Sequence, residues 1–129
     1  MRAQRSAGAE VRLPRRGSPG AVKGELLKGH LDLILLAVLA EGSAYGYGLI
    51  RVLRSRTGGM LDLTEGTIYP VLHRLEQAGY LKSQSLTVRS RRRRLYTMTG
   101  TGQDELTRLR REWYQFALGV EKLLASHDA

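Results

Sequence analysis

A chain of 129 residues, 42% of them hydrophobic, has room for one domain with a real core. Its 21 Lys and Arg against 12 Asp and Glu leave a formal charge of +9 and a pI near 10.5, a field that gathers polyanions such as nucleic acid or an acidic membrane. The absence of cysteine excludes disulfides and thiolate metal sites, and the longest apolar stretch, residues 31–40, contains Asp32 and is far too short to span a bilayer.

Residues 1–22 contain Arg2, Arg5, Arg12, Arg15 and Arg16 beside a single acid, Glu10, and are broken by glycine, proline and serine. They cannot bury enough apolar surface to offset the entropy of ordering and read as a disordered basic arm. With no apolar core in this segment a secretory signal is not expected. The protein is expected in the cytoplasm, nucleoid-associated when bound to DNA. A domain is expected over residues 23–99 and a separate terminal helix over residues 100–129.

From about Leu26 to Glu41 the chain is apolar almost all round, the pattern of a buried helix ended by Gly42. Ser43 is a candidate cap for a second helix starting at Tyr45. Gly46 and Gly48 each cost that helix about 1 kcal/mol against alanine and imply close packing. After Gly58 and Gly59, a short linker (Met60, Leu61, Asp62, Leu63) leads to the stretch that organises the rest, residues 64–81.

Thr64 is placed to cap a third helix by accepting a backbone N–H, Glu65 suits its positive end, and Gly79 suits the left-handed turn after it. Ile68, Val71, Leu72 and Leu75 fall within about 100° of arc. Gly66, Pro70, His73, Arg74 and Gln77 lie roughly opposite, with Thr67 and Tyr69 on the flanks. Pro70 removes a backbone donor, so a break at Tyr69-Pro70 that turns Tyr69 outward is expected.

Beyond Gly79 the period changes to two. Leu81, Ser83, Ser85 and Thr87 alternate with Lys82, Gln84, Leu86 and Val88. Arg89, Arg91, Arg92, Arg93 and Arg94 follow, five arginines within six positions, and then Leu95 to Thr99, rich in strand formers. This reads as a two-stranded hairpin with an arginine-loaded tip, whose charges repel one another unless an anion sits between them. Leu106, Leu109, Trp113, Phe116, Val120 and Leu123 then recur at spacings of 3, 4, 3, 4 and 3 on a last helix that starts at Thr99 or Thr101. A seam of under three heptads must pack on something, in part the chain's own core and otherwise a partner chain, and these six residues are the expected homodimer interface.

Two helices, a surface helix and a ribbon form the order of a helix-turn-helix protein with a wing. In such a protein the surface helix enters the major groove of double-stranded DNA. Thr64, Gly66, Thr67, Tyr69, Pro70, His73 and Arg74 are then the reading face. Arg74 is suited to guanine, and Thr67 or Tyr69 to phosphate or the thymine methyl. Arg89 and Arg91 to Arg94 would lie along the backbone or in the adjacent minor groove. The fold class is mainly α (α+β), a winged helix-turn-helix with a two-stranded wing and a carboxy-terminal dimerisation helix. A basic RNA- or ribosome-associated structural protein is the alternative, although single-stranded RNA readers display aromatics on a sheet face and the wing offers only Tyr96. No catalytic constellation is present: His30, His73 and His127 are scattered, and no metal or cofactor site is expected.

The stretches Gly29-His30-Leu31-Asp32-Leu33-Ile34-Leu35-Leu36, Tyr45-Gly46-Tyr47, Gly66-Thr67-Ile68-Tyr69-Pro70-Val71-Leu72-His73-Arg74-Leu75-Glu76 and Arg92-Arg93-Arg94-Leu95-Tyr96-Thr97-Met98-Thr99 resemble the PadR-type winged-helix transcriptional regulators. The resemblance covers about residues 26–124. It implies a homodimer through the last helix, as in the shorter branch of the family, and repression of an operon relieved by a small molecule or stress. It also implies that Trp113 can line an inter-subunit cavity for a flat aromatic effector, beside its simpler role as an interface anchor. Three features depart from the family pattern: Leu95 stands where an aromatic is frequent, Glu65 where proline is common, and the basic arm is longer than usual.

Overall fold

The computed structural model describes Leu27 and residues 29–128; the arm expected over residues 1–22 lies outside them. The first complete helix, α1, is shorter than expected and spans Leu31–Leu39. Gly29 has φ +90°, a left-handed conformation that a right-handed helix cannot run through, and the His30 N–H turns back to the Leu27 carbonyl at 2.8 Å. Nor is α1 buried all round. Leu35, Leu36 and Leu39 are in the core, whereas Leu31, Leu33, Ile34 and Val38 are only partly covered.

A strand that the sequence did not reveal comes next: β1, Ala44–Tyr45, with α2 beginning one residue later and spanning Gly46–Arg56. Ser43 is not a cap; its hydroxyl lies 2.7 Å from that of Thr97 across the sheet. The two glycines of α2 also separate. A Cβ on Gly46 would overlap the ring and hydroxyl of Tyr69, so close packing accounts for that one, while Gly48 faces open space. In the supposed linker, Leu61 and Leu63 are buried and belong to the core.

Helix α3 spans Glu65–Gln77 and inserts Ile68, Val71, Leu72 and Leu75 into that core. It ends in a Schellman motif: Tyr80 N–H donates to Leu75 O at 2.9 Å and Gly79 N–H to Glu76 O at 3.0 Å, with Gly79 at φ +88°. Strands β2 (Leu81–Val88) and β3 (Arg91–Met98) pair antiparallel from Leu81 opposite Met98 to Val88 opposite Arg91, and β1 pairs on the far side of β3. The wing is therefore part of a three-stranded sheet in the order β1-β3-β2, and not an isolated ribbon.

Helix α4, Gly100–Asp128, starts from a firm base. The Thr99 hydroxyl accepts Gly102 N–H at 3.0 Å and donates to Gly79 O at 2.7 Å, tying the start of α4 to the end of α3. Gly102 is required there, because any side chain would run into the Tyr80 carbonyl. The architecture is mainly α with a small sheet, a winged helix-turn-helix in which α2 and α3 form the pair and the β2–β3 hairpin the wing. No helix among the described residues is long and apolar enough to cross a membrane, and no cluster of potential metal ligands occurs among them.

Candidate nucleic-acid interface

With the apolar side of α3 fixed in the core, helical periodicity turns Thr64, Gly66, Thr67, Pro70 and His73 outward, and all five are exposed. Thr64 is the N-cap residue, but its side chain makes no cap bond. Its hydroxyl lies 3.2 Å from that of Thr67, and its carbonyl accepts the Thr67 and Ile68 N–H groups. Two hydroxyls thus sit together at the start of the helix, beside exposed Glu65. Pro70 lies inside one continuous helix and ends no element. The bond it forgoes is to the carbonyl of Gly66, and both residues are exposed, so that carbonyl stays open to water.

Two residues of the expected reading face are used differently. Tyr69 does not turn outward; it is half-buried, with its phenol against Gly46, and burial raises its pKa above the usual value, with Glu65 adding to the shift and Arg93 opposing it. The absence of a side chain at Gly46 makes the inward pose fit. Arg74 forks onto Asp32 of α1, with Nη2–Oδ1 at 2.7 Å and Nη1–Oδ2 at 3.0 Å. The hydrogen bond to Asp32 raises the guanidinium pKa. This fork braces α3 against α1 with one N–H of each terminal nitrogen, and the rest of the guanidinium, on a side chain 59% exposed, keeps further N–H donors.

Along the wing, alternation sorts the arginines onto two faces. Arg92 and Arg94 share the face of Ser83, Ser85 and buried Tyr96, the side on which α3 packs. Arg92 Nε donates to Ser85 Oγ at 3.1 Å and Arg94 Nε to Ser83 Oγ at 3.0 Å, and Ser83 in turn donates to Glu76 of α3 at 2.8 Å. Arg94 is thereby tied to α3 through Ser83, while Arg92 is held to β2 by Ser85. Arg91 and Arg93 point the other way. Arg93 lies over the Tyr47 ring at 4.6 Å from its centroid, and Tyr47 stacks on Tyr45 at 5.7 Å. The turn between the strands consists of Arg89 and Ser90 at φ +53° and +67°, the left-handed pair of a two-residue hairpin made without glycine. Backbone of this kind costs on the order of 1 kcal/mol or more per residue.

A second surface lies on α4. Leu106 is fully buried and belongs to the chain's own core, so it cannot serve a partner; Leu109 is half-covered. Trp113, Phe116, Val120 and Leu123 are exposed, as are Tyr114, Leu118 and Leu124. Gly29, His30, Leu33, Leu109, Glu112, Trp113 and Phe116 line a hollow of about 200 Å³, in which the His30 ring meets Trp113 edge-on at 5.5 Å.

Asp32, Gly46, Tyr47, Ser83 and Ser85 were not assigned to the site from the sequence, although each positions one of its groups. Alternation of serine with arginine across a two-residue hairpin was the only local signal for the serine–arginine bonds; the Asp32–Arg74 pair spans 42 positions and had none.

The PadR-like transcriptional regulator family model matches residues 35–108, which is more than half of the chain. The transcriptional regulator Rv3488 of Mycobacterium tuberculosis is 37% identical over 96 residues, covering 74% of this chain and 87% of that protein. Among solved structures, a PadR family transcriptional regulator from Eggerthella lenta superposes with a TM-score of 0.69 at 34% identity, covering 78% of this chain and 86% of that one. A transcriptional regulator from Clostridium thermocellum gives a TM-score of 0.72 at 30% identity, covering 77% and 97%. An exposed polar helix joined to an arginine wing, on this fold and with these relatives, makes the chain a member of the PadR-like family of transcriptional regulators.

Proposed function

We propose that the protein acts as a homodimer on double-stranded operator DNA, with α3 in the major groove and the wing in the neighbouring minor groove. The observation that carries this reading is the placement of wing arginines on both faces of a hairpin that stands beside the exposed face of α3. A ribbon lying flat along one strand needs cations on one face only. In the minor groove phosphates wall both sides, and a ribbon with arginine on each face suits it. Thr64, Gly66, Thr67, Pro70 and His73 are the proposed base- and phosphate-contacting residues of α3, with Arg89 and Arg91 to Arg94 on the wing. Tyr69 and Arg74 are proposed to shape that surface from beneath and from the side. Buried Tyr96 offers no stacking platform on the wing, which favours duplex DNA over single-stranded RNA.

Trp113, Phe116, Val120 and Leu123 form the proposed dimer contact, with Leu109 at its edge. The hollow beside Trp113, at about 200 Å³, is smaller than the roughly 300–1,000 Å³ of ordinary small-molecule sites. A second copy would have to complete it to hold a flat aromatic effector. Repression, relieved by such an effector or by stress, is proposed from the family likeness alone.

Genome-wide footprinting of the purified protein, followed by binding titrations on the mapped site across a salt series, tests the reading. Alanine at residues 91–94 should weaken binding to every sequence and flatten the salt dependence, by about 0.9 in slope for each phosphate that is no longer neutralised. Thr67→Ala should relax sequence preference with little change in slope. An unchanged affinity and slope for the wing variant would exclude the wing from DNA contact.

A further inference from the structure

On the side of the wing turned away from α3, Arg89, Arg91 and Arg93 meet a fourth arginine, Arg51, which comes from the second turn of α2. Together with Tyr47 and Val88 they line a cleft of about 500 Å³. Arg51 lies far along the sequence from the arginine run, so the convergence is made by the fold. Among the described residues no carboxylate pairs with any of these four. The arginines elsewhere on α2 are treated differently: Arg54 faces Asp62 at 3.8 Å and Arg56 is held by Glu41 at 2.6 Å.

Gathering a fourth unneutralised cation against three others is unfavourable in the free protein, and an anion between them reverses the sign. The cleft is also partly preorganised, because Arg93 is fixed over Tyr47 and not free in solvent. A guanidinium cluster around a polar hollow, with an aromatic edge, fits phosphate oxygens. We propose that this cleft between α2 and the back of the wing is a second phosphate-binding site, occupied by the DNA backbone on the wall of the minor groove opposite to the one that Arg92 and Arg94 face, and that Arg51 is a DNA-contacting residue. The inference rests on the DNA-binding reading above. It adds α2 to the contact surface and makes the wing straddle a strand on each side.

Phosphate contacts are independent of sequence, so an arbitrary labelled duplex of about two helical turns is a sufficient probe. Fluorescence anisotropy between about 50 and 200 mM salt should give a steep slope for the wild-type protein. Arg51→Ala should reduce the slope by about 0.9 for each cleft engaged, shrinking the fall in affinity across that salt range by about 3.5-fold. Arg51→Lys, which keeps the charge, should retain most of the slope. Arg56→Ala carries the same change in net charge on the same helix and should behave like wild type. Both arginines are exposed, so thermal melts should show the variants folded. If Arg51→Ala and Arg56→Ala bind alike while the wild type binds the duplex, the cleft holds no phosphate and the inference falls alone. If the wild type itself fails to bind the duplex, the DNA reading falls and the cleft with it.

Discussion

Helices α3 and α4 each carry an apolar side and a polar side, and the chain treats them in opposite ways. On α3 the apolar side is consumed: Ile68 and Leu72 are 0% exposed and Leu75 is 1% exposed. Its polar side is left open. Beyond Leu109 on α4 the apolar side is left open, with Trp113 at 40%, Phe116 at 61% and Leu123 at 69%. A helix that presents hydroxyls, an imidazole and neighbouring arginines is complete as a fold and awaits a polar, anionic partner. A helix that presents tryptophan, phenylalanine and leucine awaits an apolar one, since exposed apolar patches of this kind mark contact surfaces. Which side of a helix remains uncovered therefore separates the proposed DNA surface from the proposed self-association surface.

The largest effect that tests this contrast comes from equivalent truncations in the two helices. Leu72→Ala should cost about 2–5 kcal/mol of stability, through forfeited transfer energy and the cavity left behind. Leu123→Ala should stay within about 0.5 kcal/mol when unfolding is followed at a concentration too low for association. Equal losses would show that α4 is buried in the monomer after all. Next, Phe116→Asp places a charge in the seam and should raise the dimer dissociation constant roughly 30-fold or more, about 2 kcal/mol, with the folded monomer intact. Sedimentation over a concentration series reads this directly, and an unshifted mass would move the interface elsewhere.

Smaller effects probe how cleanly α3 keeps its two sides apart. Gly46→Ala should cost about 1–3 kcal/mol by forcing the Tyr69 ring out of its seat. Gly48→Ala, facing open space, should gain up to about 1 kcal/mol from helix propensity. Thermal melts of the pair compare the same substitution two residues apart. The smallest effect is that of the Arg74–Asp32 brace. A double-mutant cycle with Arg74→Ala and Asp32→Asn should give a coupling of about 0.2–1 kcal/mol, because the pair is well formed but largely solvated. A coupling near zero would show that Asp32 does not hold Arg74 in solution.

The fold was legible where periodicity carries the information. The buried side of α3 followed from Ile68, Val71, Leu72 and Leu75 alone, and the hairpin followed from the alternation after Gly79. Residues whose role depends on distant partners were not legible. Nothing near Ala44 and Tyr45 announces a two-residue strand, because that strand exists only by pairing with Tyr96 and Leu95. Arg74 carried the chemistry of a base reader, and only the placement of α1 shows where its guanidinium goes. Tyr69 was judged from its own helix, while its direction was decided by the missing side chain on another. Leu61 and Leu63 looked like linker because two apolar residues are too few to show a period.

Thr99 has a mechanical consequence. One hydroxyl fastens the root of a 29-residue helix to the turn that ends α3. At about 1.5 Å of rise per residue that helix is roughly 43 Å long. It is a lever with its fulcrum beside the end of α3, and a tilt of about 5° at the root displaces the far end by roughly 4 Å. Leu106 in the core and Thr99 at the root hold the base of this lever together, so a tilt of its shaft is carried into the end of α3.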